Sequence, residues 1–179
     1  METTINQEVL LRAIKEIGQI EVPPNLGFED KEFEERMKAV GFVPGNAWCA
    51  LFTELIWEEA YQNWDATLFT RLKVLFNASA VTTFRNFQKT KDFIVDKKFE
   101  VGCLVAFQTY KEGAAHWTGH IAIGKSYDRK TNKVTTIDGN TNDAGGREGI
   151  IVAEKSRTLN FDPIQNGLVC LGFVHLKQV

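Results

Sequence analysis

The chain has 179 residues, 44% of them hydrophobic and 25% charged, with 21 basic against 23 acidic side chains for a formal charge of -2. These proportions suit one folded domain, 1–179, with a sizeable core, and exclude a disordered tail. So even a balance excludes a global electrostatic footprint for nucleic acid or an anionic membrane.

The first half reads as helical. Residues 5–17 carry Val9, Leu10, Ala13, Ile14 and Ile17 at helical spacing, and Gly18 ends the run. Val22-Pro23-Pro24-Asn25-Leu26-Gly27 reads as a loop, because two prolines fix the backbone and remove donors. Residues 28–40 form a charged second helix with Phe33, Met37 and Val40 as its buried stripe. After a break at 41–46, residues 48–64 are long, aromatic and free of Gly and Pro, as suits a central buried helix. Shorter helices are expected at 68–76 and 81–87, the second capped by Ser79.

The second half changes period. Apolar or β-branched runs at 104–107, 120–123, 133–137, 150–153 and 168–174 read as five strands. Asp128-Arg129-Lys130-Thr131-Asn132 suits a hairpin turn, and Gly139, Gly145, Gly146 and Gly149 punctuate the next connection. Helices first and a meander of strands afterwards predict an α+β fold, with a roughly five-stranded antiparallel sheet backed by N-terminal helices. No apolar run approaches the roughly 20 residues of a membrane span. Met1 to Glu8 combine no basic segment with an apolar one, so no secretory signal is expected and the chain is expected in the cytoplasm at synthesis.

Cys49, Cys103 and Cys170 are far apart, odd in number and without a Cys-x-x-Cys spacing. That argues against a disulfide framework and a cysteine-rich zinc site, and leaves buried thiols as the default. Cys49 stands out. In Pro44-Gly45-Asn46-Ala47-Trp48-Cys49-Ala50-Leu51-Phe52 a turn runs straight into a helix and puts a thiol in its first turn. Unpaired N–H groups and the helix dipole there favour the thiolate, the reactive species, and can stabilise an oxyanion. The competing reading is a thiol that fills space beneath Trp48.

Gly119-His120-Ile121-Ala122-Ile123-Gly124 sets a histidine at the start of a short strand, where an imidazole is held firmly and can take a thiol proton near neutral pH. His116, in the loop 112–118, is its rival, and His175 reads as a strand-end residue. Thr136-Ile137-Asp138-Gly139-Asn140-Thr141-Asn142 offers two polar groups on one strand face, provided the extended geometry persists. Either Asp138 or Asn140 could orient His120. An ordinary Asp-Gly turn is the competing reading. Trp48, Trp117 and Tyr110 are candidates to line a glycan or peptide cleft, against the commoner fate of aromatics in a core.

In order and spacing these three stretches resemble the CHAP family of papain-like cysteine amidohydrolases and peptidases, relatives of the NlpC-like cell-wall hydrolases. The likeness extends to Glu16-Ile17-Gly18-Gln19-Ile20-Glu21 with its proline loop, to Gly146-Arg147-Glu148-Gly149, and to Leu171-Gly172-Phe173-Val174. It implies a papain-like fold with Cys49 as nucleophile, His120 as base, and Asp138 and Asn140 as orienting groups, without a cofactor. The implied substrate is peptidoglycan or its stem peptides, cut at the muramoyl–alanine amide or at a peptide bond of the stem or cross-bridge. With no secretory signal, such an enzyme would reach the wall as a phage-type lysin released through a membrane lesion, or by delivery from a secretion machine. Asp138 stands where the family often has Glu, and Gly102-Cys103 where many relatives have Gly-Asp. The alternatives are a catalytically silent binding or structural protein of the same fold, and a cytoplasmic cysteine amidase or protease acting on other substrates. No obligate protein partner is evident.

Three other motifs fail on context. Gly119 to Ser126 satisfies Gly-x4-Gly-Lys-Ser, but its interior is strand-like and no helical stripe follows, so a phosphate-binding loop is rejected. His116-x3-His120 would need a helix to bring two metal ligands together. Asp138-x-Asn140-x-Asn142 resembles the start of a calcium loop, yet Asp143 stands in place of the glycine and Gly149 in place of the closing Glu. No metal is expected.

Overall fold

The computed structural model describes residues 4–23, 26–142 and 149–177. Pro24 and Asn25 of the proline loop, and Asp143, Gly145, Gly146, Arg147 and Glu148 of the glycine-punctuated connection, lie outside the described residues. Among the described residues five helices precede six strands, an α+β fold.

Four of the helices begin on a side-chain cap. Thr4 opens α1 (Ile5–Lys15) with a capping box shared with Gln7. Asp30 caps α2 (Lys31–Ala39), Asp65 caps α4 (Ala66–Lys73) and Ser79 caps α5 (Ala80–Phe87). Only α3 (Cys49–Tyr61) has none: its N-cap position is Trp48, which gives the backbone no side-chain acceptor. The central helix therefore starts without a side-chain acceptor for its first N–H groups, next to Cys49. Its sides are buried almost all round, against α1, α2 and α4 and against the sheet. Trp57 on α3 stacks on Tyr61 and meets Phe76, Phe87 and Phe93, an aromatic cluster that locks α3 to the elements following it.

The strands are β1 (Phe93–Asp96), β2 (Leu104–Lys111), β3 (Ala114–Asp128), β4 (Lys133–Thr141), β5 (Ile151–Thr158) and β6 (Gly167–Leu176). They form one antiparallel sheet in the order β1-β6-β2-β3-β4-β5. The sheet has six strands rather than five, because the four-residue β1 pairs with the end of β6. Four residues without clear alternation carry too weak a signal to be read alone.

The segment expected as the loop 112–118 is largely strand. Glu112 and Gly113, both at positive φ, make a two-residue turn between the paired Lys111 and Ala114, so β3 begins at residue 114 and carries His116 and His120. The stretch Gly119 to Ser126 is thus continuous strand, incompatible with a phosphate-cradling loop. The turn expected at 128–132 joins β3 to β4, with Asp128 paired to Lys133. Among the described residues, no helix is long and apolar enough to cross a membrane.

Candidate functional site

The site forms where the uncapped start of α3 meets β3 and β4. Cys49 lies at the first position of α3, and its thiol and the His120 ring are close enough to shift each other's titration. The His120 Nε2 lies 2.7 Å from Oδ2 of Asp138, leaving Nδ1 as the ring nitrogen for the thiol. Three residues separated by up to 89 positions (Cys49 to Asp138) thus stand in the order sulfur, imidazole, carboxylate.

Two glycines make this convergence possible. A Cβ on Gly139 would lie 2.6 Å from the Phe52 Cβ and 2.8 Å from the Trp48 ring, so β4 can approach α3 only without a side chain there. A Cβ on Gly119 would lie 2.2 Å from the Phe107 carbonyl oxygen, so β3 needs glycine just before His120.

Asp138 is fully buried, yet its carboxylate is well supplied with donors. Oδ2 accepts from Arg157 Nη2 at 2.6 Å as well as facing His120, and Oδ1 accepts a short hydrogen bond from the Thr136 hydroxyl. Arg157 Nη1 in turn donates to Thr136 Oγ1 at 3.0 Å. Strand alternation explains this grouping. Thr136 and Asp138 share a face of β4, and the register sets Val134 opposite Arg157 and Thr136 opposite Lys155. The Arg157 guanidinium also lies over the Phe107 ring, 5.3 Å from its centroid, and Phe107 is itself 6.5 Å from the His120 ring.

The electrostatics follow from these contacts. Burial alone would push the Cys49 thiol up; the hydrogen bond and charge of His120, with backbone N–H groups of Ile121 and Ala50, bring it below its ordinary value. Burial alone would push His120 down, and the Asp138 charge and hydrogen bond override it and raise the imidazole to about 10. Burial opposes the ionised Asp138, but His120 and Arg157 hold that carboxyl at about 2. The arrangement favours a thiolate–imidazolium pair over a neutral thiol and ring. The other thiols behave oppositely: burial pushes Cys103 well up and Cys170 to about 12.

Cys49 and His120 open onto a cavity of ≈ 940 Å³. Trp117 lines it and is 70% exposed, as a contact for substrate requires. Trp48 does not line it. Its indole is fully buried against Phe28 and Phe52 and donates Nε1–H to Glu21 Oε2 at 3.0 Å, so the expectation that Trp48 touches substrate is corrected. Tyr110 is absent from the lining as well. His116 points its Nδ1 to the Thr118 hydroxyl at 2.7 Å, and His120 is the ring that faces the thiol.

Asn140 is separated from the role of Asp138. The expectation that both project from one side assumed regular extension, but the β4–β5 register shifts between Asp138 and Thr141 and Asn140 sits at φ 54°. The bulge turns Asn140 into the cavity lining, while Asp138 stays beneath the ring. Thr136 and Arg157 are site residues that sequence reading missed. The two-residue spacing to Asp138 could have found Thr136; only the β4–β5 register brings in Arg157. No family model matches the chain, and neither a curated protein nor a solved structure is significantly similar to it.

Proposed function

We propose that the chain is a papain-like cysteine amidohydrolase or peptidase of the CHAP type that cleaves an amide bond of peptidoglycan. The observation that carries this reading is the Cys49–His120–Asp138 alignment at the uncapped start of a helix, beside an open cavity. The choice of peptidoglycan comes from the resemblance in the three motif stretches. A thiol-bearing central helix packed on an antiparallel sheet that supplies the imidazole and carboxylate favours the papain-like assignment.

In this mechanism the Cys49 thiolate attacks the amide carbon, and the Cys49 N–H with a neighbouring donor receives the oxyanion. The His120 imidazolium gives its proton to the leaving amine as the tetrahedral intermediate collapses to a thioester. The neutral ring then takes a proton from water, the resulting hydroxide attacks the thioester, and the acid product leaves as Cys49 is regenerated. Asp138 holds Nε2–H throughout and stabilises the imidazolium. Trp117 provides an aromatic surface at the rim for a sugar or stem-peptide side chain. The enzyme would meet the wall after release or delivery, as a phage-type lysin does.

Turbidity loss of purified walls, with mass spectrometry of the released muropeptides, tests this and identifies the bond. Wild type should clear walls and Cys49→Ala should not. Equal inertness on several wall types would leave a binding protein or an amidase for other substrates.

A further inference from the structure

We propose that Arg157 is a positioning residue that clamps the Asp138 carboxylate and, as a fixed positive charge, sets the pH at which Cys49 becomes reactive. The inference deepens the cysteine-hydrolase reading and rests on its Cys–His pair, but not on the identity of the substrate.

Arg157 reaches the pair through a fork. One amino group holds Oδ2, the same oxygen that faces His120 Nε2, and the other holds the Thr136 hydroxyl, which itself donates to Oδ1. Both carboxylate oxygens are thereby fixed, and the plane of the carboxylate is set for the ring. Phe107 beneath the guanidinium holds the fork in place from β2. A lysine could supply the charge but not the planar two-point grip.

The charge has its own consequence. The titratable groups facing His120 are Cys49 from α3 and Asp138 from β4, and Phe107 from β2 is uncharged. Arg157 on β5 is the cation bonded to that carboxylate, while Lys155 on β5 and Lys111 on β2 line the cavity. A carboxylate shared between imidazolium and guanidinium stabilises the imidazolium less than one serving the ring alone. A nearby cation also lowers the proton affinity of both thiol and imidazole. Loss of Arg157 therefore raises both titrations of the coupled pair, and the thiolate forms at higher pH.

The test is the pH dependence of Cys49 alkylation by iodoacetamide, read by mass spectrometry, in wild type, Arg157→Gln and Arg157→Lys. It needs no wall substrate, so a negative result here is separable from inertness on peptidoglycan. Arg157→Gln should move the rising limb of the profile upward by about one pH unit. Arg157→Lys should keep the limb within a few tenths of wild type, because the charge remains. An unmoved limb in folded Arg157→Gln would overturn the proposal. Since removing a partner from buried Asp138 can cost the fold, Arg157→Lys stands as the second arm. A limb displaced by a full unit in that variant would equally overturn the proposal.

Discussion

The fold holds two histidines next to carboxylates, and only one of them has a thiol and a cavity beside its ring. His120 on β3 faces Asp138 at 2.7 Å; His175 on β6 faces Asp96 at 3.3 Å, and its Nδ1 lies 3.4 Å from Glu100 without hydrogen-bond geometry. The first carboxylate is fully buried and gripped by Thr136 and Arg157, whereas Asp96 and Glu100 are partly exposed. The first ring has a thiol on its other side and a cavity in front; the second has neither among the described residues. A histidine–carboxylate pair is thus an ordinary way to satisfy a buried ring. Reactivity needs a nucleophile, a carboxylate held ionised, and access together.

The largest effect should come from removing the nucleophile. Cys49→Ala is expected to lower turnover at least about 10³-fold, because the thiol and imidazole act as a unit. Cys103→Ala and Cys170→Ala should leave turnover near wild type. The same contrast predicts that iodoacetamide labels Cys49 well before the other two, read by peptide mapping; faster labelling of Cys103 would break the distinction between the thiols. Asp138→Asn comes next, with a loss of roughly 10²- to 10³-fold in kcat, since the amide cannot stabilise the imidazolium. If Asp138→Asn matched wild type across the pH profile, the carboxylate at His120 would be no more than the structural partner that Asp96 is to His175.

Much of this contrast is legible in the residues, but not all of it. The helix-start position of Cys49 follows from the turn Pro44-Gly45-Asn46 running into an apolar stretch, and His120 from its place before Ile121-Ala122-Ile123. These are local patterns, and local patterns survive in sequence. Trp48 carries the same kind of local signal and misleads, because whether an aromatic faces a cleft or a core depends on what packs over it, here Phe28 and Glu21. Asn140 misleads because a single residue at positive φ turns the strand. Arg157 is silent in sequence: its role arises only when β5 pairs with β4 in one particular register.

The pair also predicts a pH-dependent stability. The folded His120 titrates at about 10 against an ordinary 6.5, so its stabilisation is fully present below about 6.5 and is lost as pH rises through about 10. Asp138, at about 2 against an ordinary 3.8, contributes above about 3.8 and loses its contribution as pH falls through about 2. Cys49, held below its ordinary value of 9.0, offsets the loss while the unfolded thiol keeps its proton, so urea midpoints for wild type should decline as pH rises from about 9 through about 10. In His120→Gln that slope should flatten, and an undiminished slope would assign the alkaline loss elsewhere. A smaller effect is expected at the rim. Trp117→Ala should raise KM roughly 2- to 10-fold with kcat little changed, the scale of one lost aromatic contact. A fall in kcat alone would place Trp117 in the chemical step.

The smallest effect on activity should come from the second histidine. His175→Gln keeps a polar side chain at the same strand position and removes a ring with no thiol beside it. Its expected cost is to stability alone, about 1–2 kcal/mol by urea unfolding, because Asp96 loses a partner that is itself almost fully buried. Turnover per folded molecule should stay within twofold of wild type. A large fall in turnover with an unchanged unfolding midpoint would couple β6 to the site through β2, which pairs with β6 on one side and with the His120 strand on the other. The two histidines would then be ends of one system, and the contrast between a reactive pair and a structural one would fail.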